Sequence, residues 1–172
     1  MTTPRFEYLC RPFAQGLLDK ARALAELDLN QHQRARLRES VSVDVRKLCD
    51  LLVPDARLPE VSTAAAESAA GLGVDLRRET WHSQPKFDPG RARFHYEHMN
   101  PVGEIVSRLG AVECAGDVVA LISESLRLAW ITKEEDRRLT ALGFRQRRPD
   151  PAAAYARAGI TLLPTTPTPG SI

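Results

Sequence analysis

Two of the four histidines in this chain, His95 and His98, lie three residues apart, and Glu97 directly precedes the second. Pro101 follows, ahead of an apolar stretch. Carboxylate and imidazole groups are the ligands a divalent cation takes when it must neutralise a phosphate and its departing oxygen. A neutral imidazole beside them can accept a proton from an attacking water. Arg91 and Arg93 precede the histidines and have the forked donors that hold a phosphate. Further along, Asp136 stands in the acidic and basic run Glu134 to Arg138 and offers another carboxylate. The plainer reading pairs Glu97 with an arginine, satisfies the histidines with backbone groups and leaves Asp136 on a solvated helix face.

A second candidate is the polar stretch from Trp81 to Asp88, which carries Trp81, His82, Phe87 and Asp88. Polar loops with aromatics often hold binding residues on a rigid scaffold. His82 and Asp88 would add to a site built on His98, with Trp81 as a contact surface. Two basic clusters, Arg34, Arg36, Arg38 and Arg46 in one and Arg145, Arg147 and Arg148 in the other, could meet phosphates. Acidic residues, Glu39, Asp44 and Asp50, interrupt the first, so a mixed solvated face is the favoured reading of it.

The elements around these residues follow from periodicity and caps. Apolar residues at helical spacing predict a helix from about Pro12 to Leu27. Asn30, with Gln33 three residues on, predicts the cap of a second helix reaching about Leu52, kinked near its valines between Ser40 and Val45. Together they predict a helical hairpin. Val53 to Pro59 reads as a connector. Ser62 or Thr63 caps an alanine-rich helix ended by Gly71 to Gly73. Val74 to Trp81 and Arg91 to His98 read as strands, with Ser83 to Gly90 as the loop between them. In the second strand Phe94, Tyr96 and His98 share one face and His95 and Glu97 the other. Glu97 and His98 act together only if the strand ends or bulges there, and Pro101 suits such an ending. Helices are expected from Pro101 to Leu109 and from Asp117 to Leu126. A short strand follows from Leu128 to Ile131. Thr132 and Glu135 form a capping box for a helix ending at Gly143, and Asp150-Pro151 opens a last helix.

With these elements in place, the chain resembles the HNH, or ββα-metal, nuclease family over Glu97-His98-x-x-Pro101 and the helix at Thr132. The resemblance implies a divalent-metal-dependent nuclease or phosphodiesterase. Glu97 and Asp136 would hold Mg²⁺ or Mn²⁺. His98 would be the general base, with His95 and Arg93 beside it, and Arg91 would contact the substrate, DNA or RNA. The chain departs from the family pattern in offering Asp136 where His or Asn is usual, and in the longer interval before it. Only Asn100 could stand for the family's central asparagine, and the usual knuckle cysteines are missing.

Composition bounds the answer. At 172 residues the chain can bury a core without metal or disulfide staples. A net charge of +2 excludes a strongly cationic nucleic-acid coat, though not a local basic groove. Cys10, Cys49 and Cys114 are odd in number and far apart, which argues for reduced thiols. No apolar run reaches the roughly 18–20 residues of a membrane helix, so a cytoplasmic protein with no membrane contact is expected. The expected fold is α+β and predominantly helical. Residues 1–53 form the hairpin, 54–162 a small antiparallel sheet flanked by helices, and 163–172 a disordered tail. Two other functions fit the same residues. One is a non-catalytic module that binds a protein partner or a second copy through its N-terminal helices. The other is a small-molecule enzyme using the space between the Trp81 loop and Glu97-His98.

Overall fold

A computed structural model of the chain describes residues 4–52 and 57–164. Residues 53–56 of the expected connector and 165–172 of the expected tail lie outside the described residues. The fold is α+β and predominantly helical, with a small sheet among the helices.

Helix α1 spans Pro4–Glu26 and α2 spans Gln31–Leu52. The first starts well before the expected Pro12. Phe6, Cys10, Ala14 and Leu17 are fully buried on one helical face, and burying that stripe outweighs the one backbone hydrogen bond that Pro12 removes. The second helix runs unbroken through the expected kink, because Val41, Val45 and Leu48 face the core at helical spacing. Asn30 and Gln33 form the reciprocal cap at its start, at 2.9 and 3.1 Å. The buried face of the hairpin shares one core with α5 (Val102–Arg108) and α6 (Ala115–Ser125). Tyr8, Leu27 and Val43 remain exposed on its outside. Among the described residues no helix is long and apolar enough to cross a membrane.

The sheet has the order β1-β3-β2. The central strand, β3 (Leu128–Thr132), pairs in parallel with β1 (Glu60–Val61) and antiparallel with β2 (Phe94–His98). The sheet is therefore mixed. Leu128 to Ile131 are all buried, as a strand covered on both faces requires. The expected strand from Val74 to Trp81 does not form. Asp75 instead accepts the Arg77 N–H at 3.1 Å and starts a short 3₁₀ turn over Leu76–Arg78, a local bond that competes with strand pairing. The expected loop from Ser83 to Gly90 contains one turn of helix, α4 (Gln84–Phe87).

Three caps fix the remaining helices. Ser62 caps α3 (Thr63–Ala70), Thr132 caps α7 (Lys133–Ala141) and Asp150 caps α8 (Pro151–Arg157). Glu135 is buried and closes its capping box by accepting the Thr132 N–H at 2.8 Å. It also accepts the Ser62 hydroxyl at 2.7 Å. One carboxylate thus locks the starts of α3 and α7 across β3. Glu135→Ala removes an acceptor from buried donors, and a loss of about 2–3 kcal/mol is expected. Urea unfolding checks this as a lower midpoint at unchanged slope.

Candidate functional site

The site begins with the turn that aims β2. Asp88 is buried and accepts the N–H groups of Ala92, Arg93 and Phe94 at 3.0–3.1 Å. It also accepts the Gln84 amide at 2.9 Å. Burial works against its charge, but these hydrogen bonds outweigh it and hold the carboxyl below its usual range. Asp88 is therefore built into the turn and is not presented to a substrate as expected. Arg91 takes a left-handed conformation, φ 52°, uncommon for a side-chain-bearing residue. Its guanidinium lies 3.9 Å from the centre of the Trp81 ring and donates to the Trp81 carbonyl at 3.3 Å. Arg93 is tied through its backbone to Asp88 and Lys133, with its side chain exposed.

Strand β2 runs through to His98, which pairs with Leu128. No bulge brings Glu97 and His98 together, so strand alternation holds. The residues that converge are His95, Glu97 and Asp136. One ligand atom from each lies within 4.8 Å of the other two. His95 Nε2 is 2.7 Å from Glu97 and 3.8 Å from Asp136. On the other side of the ring, Lys133 Nζ is 3.3 Å from His95 Nδ1. An ammonium can only donate, so Nδ1 accepts and the proton of neutral His95 sits on Nε2, donated to Glu97.

Glu97 is held from behind by Arg148, whose guanidinium is 1% exposed. Arg148 donates to Glu97 at 2.7 Å and to the carbonyls of His98, Met99 and Phe144. Burial pushes the Glu97 carboxyl up, but the hydrogen bond from His95 and the charge of Arg148 prevail and lower it. Neither Arg148 nor Lys133 was singled out from sequence as part of this cluster. Arg148 stood among other arginines, and no local pattern marks which of them is buried.

His98 stands on the opposite strand face and lines two clefts. The larger, about 1160 Å³, is walled by Arg46, Glu97, Arg108, Arg145 and Arg147. Arg46, Arg145 and Arg147 are exposed and have no carboxylate partner among the described residues. The smaller, about 470 Å³, lies between α2 and β2 and includes Trp81, His82, His95 and Tyr96. His82 reaches Asp50 of α2 at 3.2 Å. Burial, then the nearby Arg46 and His95, push the His98 ring down to about 4 against the opposing pull of Glu97 and Asp50. It is neutral at physiological pH.

Two outcomes follow. Glu97→Ala strands a buried guanidinium and Arg148→Met strands a buried carboxylate, so each single change is expected to cost about 3–5 kcal/mol. The double variant should cost less than the sum in a urea-unfolding cycle. The folded pKa of His98 is lowered from 6.5 to about 4, so its contribution is flat above the unfolded value. Stability falls as pH drops through this window, by about 3 kcal/mol at its lower end, because only the unfolded chain takes the proton. His98→Gln should flatten that part of the stability-versus-pH curve. Compared with family models, curated proteins and solved structures, the chain matches none.

Proposed function

We propose that the chain is a divalent-metal-dependent phosphodiesterase acting on nucleic acid, with the cation held by His95, Glu97 and Asp136. The observation that carries this reading is the convergence of one imidazole and two carboxylates within 4.8 Å, beside a cleft walled by arginines. One nitrogen and two oxygen donors suit Mn²⁺ better than Mg²⁺, which prefers oxygen alone. A cation bound there would supply a hydroxide near neutral pH and stabilise the departing oxygen.

The chain's own residues have distinct tasks in this proposal. Arg148 keeps Glu97 ionised and turned toward His95. Lys133 sits against the cluster and can donate to a phosphate oxygen. Arg46, Arg145 and Arg147 hold phosphates on either side of the cleaved bond. For Nε2 of His95 to become a ligand its proton must pass to Nδ1, which then gives up its contact with Lys133. The strand turns His98 away from the cluster, so the general-base task expected for it does not accompany the metal ligands. Its neutral ring instead lines the phosphate cleft.

Calorimetric titration with Mn²⁺ tests the proposal. Asp136→Asn and His95→Gln are the suitable variants, because both side chains are partly exposed and neither holds Arg148. One saturable site is expected in the wild type, at least about tenfold weaker in each variant, with Mn²⁺-dependent cleavage of DNA or RNA lost in parallel. No saturable binding by the folded wild type would make the cluster a polar clasp between β2 and α7 and remove the enzymatic reading.

A further inference from the structure

We infer that the smaller cleft is a pocket for an unpaired nucleobase, an assignment that rests on the nucleic-acid reading above and narrows its substrate to single strands. At about 470 Å³ it falls in the size range of small-ligand sites and can take one base with its sugar. Its walls include Trp81, His82 and Tyr96, with Val43 among the apolar contacts. Base stacking on such side chains is the usual sequence-tolerant grip on a single strand.

Trp81 is 45% exposed, while the chain's other tryptophan, Trp130, is fully buried. The exposed ring is held in place. Arg91 covers it at 3.9 Å from the ring centre, and His82 meets it edge-on at 5.2 Å. Arg91 does so from a left-handed backbone, φ 52°. Strain of this kind is kept where the surroundings fix a side chain in one pose. The pocket also offers both kinds of polar partner for a base edge. Asp50 accepts, Arg46 and Lys47 donate, and the ring nitrogens of His98 lie on the same wall.

The position of the pocket gives the strand a path. Arg46 and His98 line both clefts. The metal cluster is divided between them, with His95 on the base pocket and Glu97 on the arginine cleft. A strand whose base enters the small cleft therefore carries its phosphate past the cluster and into the arginines. A base stacked within a duplex cannot enter without being extruded.

The test is equilibrium binding of labelled 12-mers to the full chain in EDTA. The probes are a single strand, its duplex and an abasic strand of equal length and charge. The single strand should bind at least about tenfold tighter than the abasic strand, with the duplex also weaker. Trp81→Ala should erase the difference and Trp81→Phe should keep most of it, which separates stacking from misfolding. Equal affinity for the abasic strand, preference for the duplex, indifference to Trp81→Ala, or no binding at all would each overturn the assignment. The absence of cation separates this result from the metal proposal. Base preference without Mn²⁺ binding would remove the metal and keep the pocket. Mn²⁺ binding at His95 and Asp136 without base preference would do the reverse.

Discussion

The buried guanidinium of Arg148 sets the geometry of this site. It donates to three backbone carbonyls and to Glu97 at once, and the backbone N–H of the same residue donates to Glu104 of α5 at 2.6 Å. A lysine could not replace it, because three donors on one point charge cannot reproduce a planar fork. The consequences run in both directions. The segment before Pro149 is laid against the end of β2, which forms one wall of the arginine cleft. Glu97 is left charged in a half-dry position, with its second oxygen free to accept from His95. Without Arg148 only the His95 contact would oppose burial, and burial favours the protonated acid.

The other half of the cluster depends on strand register. Antiparallel pairing sets Phe94 opposite Thr132 and His95 opposite Ile131, so the first turn of α7 begins beside His95. Lys133 and Asp136 are three residues apart and share a helix face, and that face meets the imidazole from both sides. Glu135 lies between them in sequence but points the other way, into the cap with Ser62. The acidic run Glu134 to Asp136 is thus three separate tasks. Glu134 pairs with Arg137 on the surface, Glu135 locks two helix starts, and Asp136 faces the histidine.

Much of this was legible where the cause is local. The caps at Asn30, Thr132 and Asp150 depend on one side chain and a backbone N–H a turn away, and all three form as their residue types dictate. Alternation in β2 was equally legible. It already placed His95 with Glu97 and His98 on the far face. The acid-His pair drew attention to His98 because adjacency in sequence resembled a known pattern, yet a strand that continues to His98 separates neighbours. What could not be read depends on distant partners. Strand β1 is two residues long, too short for any periodicity, and exists because β3 has an open edge. Which arginine lies buried depends on the course of the chain after α7.

Charge balance makes the two halves of the proposed function depend on each other. Around His95 the two carboxylates already face two cations, Lys133 and Arg148. A divalent ion placed among them would meet a site with little net negative charge, so its saturable binding is strengthened further when an anion is present. A phosphate in the adjacent arginine cleft supplies the missing negative charge and gives Lys133 a partner other than the His95 ring. Each ligand therefore lowers the cost of the other, and by linkage the factor is the same in both directions. In the proposed reading the cluster and the arginine cleft therefore take cation and phosphate together.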